Sequence, residues 1–195
     1  MSEAQSLFLG RTGTPTSTAT LTSFTGGDLV INGVRAGRGL FIPVLDASMN
    51  TCFGKDALAK TTTAHTNTAI GNIALAELLT GTDNSAVGNK ALNTLTSGIR
   101  NVAVGANSLV AITTGNRNTA IGQGSGQLLA TSASDNTFLG YLAGSAMNAI
   151  GNHNTFVGSS AGVLISTAVS GNTFVGSGSG RAGGGVPVNS TGIGY

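Results

Sequence analysis

The sequence predicts an all-β protein, a parallel β-solenoid of nine coils preceded by a small β-rich module. Three observations carry that expectation. The stretch Asn67-Thr68-Ala69-Ile70-Gly71 returns, with small changes, nine times in phase. Within it the side chains alternate between two faces, Thr68 with Ile70 and Ala69 with Gly71, as a strand requires. The composition, with 31 Gly and only 8% charged residues in 195, argues against one large globular core, for which about a quarter charged is usual.

The motif closes on Gly54, Gly71, Gly88, Gly105, Gly122, Gly140, Gly158, Gly176 and Gly194, spaced 17 residues apart at first and 18 from Gly122 onward. A sustained period of this length is the signature of a repeat protein, in which each unit covers its neighbour's apolar face. Before each glycine stands an apolar residue: Phe53, Ile70, Val87, Val104, Ile121, Leu139, Val157, Val175 and Ile193. This regular series is expected to form the solenoid core. Eight copies begin with asparagine, at Asn50, Asn67, Asn84, Asn101, Asn118, Asn136, Asn154 and Asn172, and Ser190 begins the ninth. Stacked at one corner, those amides are expected to form a ladder. Gly at the end of the strand permits a corner where φ is positive. At a strand spacing of about 4.8 Å, nine coils would make a rod roughly 40 Å long.

Two further columns change together along the chain. The fourth residue after the glycine is Leu58, Leu75, Leu92 and Leu109 in the first four copies, then Gly126, Gly144, Gly162 and Gly180. The third motif position changes from Cys52, Ala69, Ala86, Ala103 and Ala120 to Phe138, Phe156 and Phe174. Interiors tolerate redistribution of volume and not voids, so the phenylalanines are expected to be buried and stacked where leucine is missing. The fifth copy has neither large residue, and Leu128 or Leu129 is expected to fill it. Both faces of the motif strand are small or apolar, so one is expected inside the coil and the other covered by something outside it.

Residues 1–47 lie outside the repeat, and residues 48–195 form the solenoid domain. The run Leu29-Val30-Ile31-Asn32-Gly33-Val34-Arg35 predicts a hairpin, because Asn-Gly suits its two-residue turn. Leu40 to Leu45 reads as an edge strand interrupted by Pro43. This module carries Arg11, Arg35 and Arg38, three of the six arginines, and these are the candidate contacts of an anchor. Residues 181–188 read as a flexible last loop. No C-terminal cap is recognisable, so the final coil is expected either to dock or to form a tip.

Charge and chemistry narrow the function classes. Nine basic and seven acidic residues leave a net charge of +2, and no basic cluster points to nucleic acid. Cys52, the single cysteine, excludes an intrachain disulfide and a cysteine zinc site, and it reads as a small buried hydrophobe. The start Met1-Ser2-Glu3-Ala4-Gln5 does not read as a signal peptide, and no apolar run is long enough to cross a membrane. Assembly in the cytosol is the expectation. His65 and His153 stand five coils apart, about 24 Å at the strand spacing, too far to share a substrate. Asp83 and Asp135, each preceding a motif asparagine, read as turn formers. Glu77 has no nearby carboxylate partner. The run from Gly176 to Gly180 lacks the Lys-Ser/Thr of a phosphate loop. Neither catalytic nor metal-binding residues are expected, and no cofactor.

At these residues the repeat resembles known families. Asn-Thr-Ala-Ile-Gly-x-x-Ala-Leu is similar to repeats of bacteriophage tail-fibre and other virion-fibre proteins. Arg117 to Ser125 also resembles the Asn-Ser-Val-Ala-Ile-Gly-x-x-Ser head repeat of trimeric autotransporter adhesins. The resemblance covers about residues 50–194. It implies a left-handed parallel β-roll in an intimate homotrimer, which would cover the second face. It further implies a non-enzymatic virion protein, a phage surface fibre or capsid decoration protein, bound to capsid or tail through residues 1–47. A tail fibre or adhesin that binds a host receptor or glycan is the alternative. A hexapeptide acyltransferase is more distant, because its aliphatic-Gly-x-x-small tile occurs here only once per coil.

Overall fold

The computed structural model describes residues 49–145, 151–163, 170–180 and 189–194, together with the backbone of residues 29–31 and 34–37. Arg11 and Arg38, the expected edge strand at residues 40–45 and the loop at 181–188 lie outside the described residues, as does the Arg35 side chain. Among the described residues there is no helix. Strands β1 (Leu29–Ile31) and β2 (Val34–Gly37) pair antiparallel across Asn32-Gly33. Strand β2 also pairs antiparallel with β3 (Thr51–Phe53), so a hairpin closes the N-terminal edge of the sheet.

Each of the nine motif copies forms one three-residue strand. These are β3, β4 (Thr68–Ile70), β5 (Ser85–Val87), β6 (Val102–Val104), β7 (Thr119–Ile121), β8 (Thr137–Leu139), β9 (Thr155–Val157), β10 (Thr173–Val175) and β11 (Thr191–Ile193). All nine run parallel and in register, each on the next, with Ala69 opposite Ala86 and Phe138 opposite Phe156. They build a β-solenoid of about seven turns.

Stacking continues past the strands into the turns. The Ile73 N–H donates back to Lys55 O at 2.8 Å, while the Leu75 N–H donates forward to Ala91 O at 3.1 Å. Alternate peptide groups of one turn thus point to opposite ends of the rod, which satisfies a backbone that has little regular strand. The alternation places a left-handed residue at two turn positions per coil, for example Ile73 at φ 50° and Leu75 at φ 49°. For leucine that conformation is costly, roughly 1–2 kcal/mol, and burial of the side chain offsets it. At Gly71 the constraint is spatial as well as conformational. A Cβ there would run into the carbonyl of Gly88 in the next coil.

The interior is not where the pre-glycine residues point. Phe53, Ile70, Val87, Val104, Ile121, Leu139, Val157, Val175 and Ile193 lie on the outer face, half-buried at Val87 and Val157 and otherwise exposed, up to 83% at Ile193. The core consists instead of the middle strand residue, the small residue after the glycine, and two leucine columns from the turns. Leu58, Leu75, Leu92 and Leu109 form the first column; Leu78, Leu95, Ile112 and Leu129 form the second. Behind β4, β5 and β6 these leucines fill the narrow coil and leave only an alanine-sized space. The larger aliphatic residues of the strand must therefore face outward.

Candidate functional site

Three linear features run along the solenoid, each produced by one motif position repeated in register; the first and third span all or nearly all of it, the second only the coils of β8 to β10. The first is the amide ladder. Each motif asparagine Oδ1 accepts two bonds from the next asparagine, one from its backbone N–H and one from its Nδ2. Asn118 receives them from Asn136 at 3.1 and 3.0 Å, and Asn67 from Asn84 at 2.9 and 3.0 Å. The remaining Nδ2 hydrogen goes to a corner carbonyl, Gly81 O for Asn67 and Ala133 O for Asn118. The ladder extends from Asn50 to Asn172, every member buried, and ends where Ser190 N–H donates to Asn172 Oδ1 at 2.8 Å. A buried amide fully satisfied in this way specifies register, since a slipped coil would strand both ends of it.

The second feature is the aromatic column. Phe138, Phe156 and Phe174 are buried, with successive ring centroids 5.5 and 5.2 Å apart. The rings tilt 42° in the first pair and 27° in the second, within the offset geometries aromatic pairs prefer. They lie against the glycines of their own coils: a Cβ on Gly144 would stand 2.8 Å from Phe138 Cδ1. The fifth coil is filled differently from expectation. Leu128 is exposed, Leu129 belongs to the second leucine column, and the space beside Gly126 is occupied by Leu109 and Phe138 from the coils on either side.

The third feature is the outer face of the sheet. The nine pre-glycine residues form one row, and Thr51, Thr68, Ser85, Val102, Thr119, Thr137, Thr155, Thr173 and Thr191 form the row beside it. Isolated exposed aliphatics are ordinary, whereas a continuous row is not.

Polar side chains at the corner before the asparagines follow a pattern that a single copy does not reveal. Thr66, Asp83, Arg100, Arg117, Asp135 and His153 occupy equivalent left-handed positions, with φ between 54° and 61°. Thr66 Oγ1 donates to Asp83 Oδ1 at 2.6 Å, Arg100 Nε lies 3.9 Å from Asp83, and Arg117 grips Asp135 through two bonds of 2.6 and 2.8 Å. The two aspartates therefore act as ion-pair partners between coils. One residue earlier lies a second ladder that sequence reasoning missed. Asn116 Oδ1, Ser134 Oγ, Asn152 Oδ1 and Ser170 Oγ accept in turn from the N–H groups of Ile99, Asn116, Ser134 and Asn152. Its only sequence signal is the alternation of Asn and Ser at that register.

His65 and His153 are both exposed, on coils well separated along the rod. Among the described residues no group of three or more His, Cys, Asp or Glu converges on a point that could hold a metal ion, and no helix is long and apolar enough to cross a membrane. Cys52 is buried at the inward position of β3. Fold and ladders together define a β-solenoid repeat protein whose long-range features are linear, running from coil to coil along the rod. No protein-family model, curated protein or solved structure matches the chain.

Proposed function

We propose that this chain is a non-enzymatic structural protein of a virion, a homotrimeric phage surface fibre or capsid decoration protein. The observation that carries the reading is the outer row from Phe53 to Ile193, an apolar stripe along the whole solenoid that one chain leaves open to solvent. Three copies packed along that row would bury it, in the left-handed trimeric arrangement that the repeat's resemblance to virion fibres implies. Residues 1–47, with Arg11, Arg35 and Arg38, would bind capsid or tail, and the rod would project from the virion surface after assembly in the host cytoplasm. Neither cofactor nor nucleic acid nor membrane insertion has a part in this function.

Imaging of virions labelled with antibody to this protein tests the reading. Regular labelling of head or tail is expected, and bare particles from a lysate containing the protein would overturn it. A chain lacking residues 1–47 should still assemble yet leave particles undecorated. Host attachment through a receptor or glycan is the second reading on the same scaffold. The buried phenylalanine column gives it no aromatic platform, so it would fall to other exposed side chains.

A further inference from the structure

The apolar row of the outer face does not stop at the first coil. Ala36 of β2 stands opposite Phe53, and Leu29 of β1 stands opposite Ala36. Directly opposite residues of neighbouring strands share one face of a sheet. The line that runs from Ile193 through Ile121 to Phe53 therefore continues onto the hairpin. One register line crosses all eleven strands of the sheet. With about 4.8 Å between strands it measures roughly 50 Å.

We infer, on the trimeric reading above, that the N-terminal hairpin belongs to the face on which copies of this chain pack. The contact between copies then runs from Leu29 to Ile193 and is not confined to the solenoid. A second copy suits this face for two reasons. The solenoid's aliphatic row and the threonine row beside it contain no charged residue, so identical rows meet without repulsion. A copy also has the same length and the same coil spacing, so apolar residues meet apolar residues along the whole strip. Around a closed symmetry axis parallel to the rod, each residue of the row faces its own equivalents. Residues 29–31 and 34–37 thus end the sheet of one chain and extend the contact to its neighbours. Particle binding is left to the rest of residues 1–47.

Thiol cross-linking of the full chain tests this. The one cysteine of the wild type, Cys52, is buried, so wild type treated with a short bismaleimide should run as single chains on a denaturing gel. Val104→Cys, in the solenoid part of the row, should give covalently linked chains. Ala36→Cys and Leu29→Cys, both in the hairpin, should link to the same extent. Thr114→Cys, at an exposed position outside the sheet, should stay single. Linking at Val104 without linking at either hairpin position would overturn the inference and leave the trimeric assembly standing. No linking at any of the three, with wild type sedimenting at the mass of one chain, would remove the assembly and the inference together. Linking of Thr114→Cys as strong as that of Ala36→Cys would mean chance collision and would count against a defined face.

Discussion

Phe156 occupies the space that Gly162 vacates: a Cβ on Gly162 would lie 2.6 Å from both Cδ2 and Cε2 of the ring. In the earlier coils the position equivalent to Gly162 holds a buried leucine with φ of 49–52°, close to the 65° of the glycine. The backbone there accepts either residue, and the volume behind the strand decides which.

Phe156→Ala should therefore cost about 3–5 kcal/mol per chain, the usual range for removing a buried ring. Adding Gly162→Leu to that variant should recover part of the loss, because the backbone already has the conformation that Leu75 adopts. Gly162→Leu alone should be strongly destabilising, since the ring is still in place. Denaturant midpoints of the three variants check this, and equal stability of the single and double variants would contradict the exchange of volume.

The amide ladder gives a sharper test. Asn118→Ala removes the Oδ1 that accepts from both donors of Asn136 and the Nδ2 that donates to Asn101 Oδ1 and Ala133 O. Buried partners left without bonds should cost about 3 kcal/mol. Asn118→Asp keeps the shape but aims an oxygen at two acceptors in a fully buried site, so at neutral pH it should be worse than alanine. An aspartate variant as stable as wild type would mean that the ladder tolerates a reversed or absent donor.

The motif period made the parallel stacking, the amide ladder and the aromatic column legible from the chain alone. The direction of the strand was not. Alternation sorts Thr68 with Ile70 and Ala69 with Gly71 but does not say which set is inside. That depends on how much room the turns leave, and the turn leucines at 75 and 78 take most of it. The left-handed backbone at Leu75, which points that side chain inward, has no signature in a leucine. The ladder of Asn116, Ser134, Asn152 and Ser170 escaped notice for a related reason. Its members sit in a loop, and only the stacking register brings them into line.

Arg117 and Asp135 predict a pH effect of known sign. The hydrogen bond from Arg117 holds the Asp135 carboxyl below its ordinary value; partial burial opposes this, while the charges of Arg117 and His153 add to it. A carboxylate with a depressed folded-state pKa contributes stability above its unfolded value and loses it as the pH falls through the folded one. The contribution should therefore vanish only in acid, and it should be small because the pair is exposed. In Arg117→Gln the NMR titration midpoint of the Asp135 side chain should move upward. An unchanged midpoint would mean that the pair does not persist in solution.

Ile121 separates the two states of the outer face. It is exposed in the single chain, with Val104 and Leu139 beside it in the same row. If the chain works alone, Ile121→Asp is a surface substitution and should change stability by no more than about 0.5 kcal/mol. If three copies share that face, the same carboxylate enters a dry interface without a partner and should prevent assembly. Wild type is expected to sediment at three times the 19.1 kDa of one chain, with a melting temperature that rises with protein concentration. Ile121→Asp should sediment at the single-chain mass or aggregate. Thr119→Ala, two residues away on the same face, removes a hydroxyl without adding charge and should leave the assembly intact. A wild-type chain that stays monomeric and folded at micromolar concentration, indifferent to Ile121→Asp, would remove the main support for a trimeric fibre.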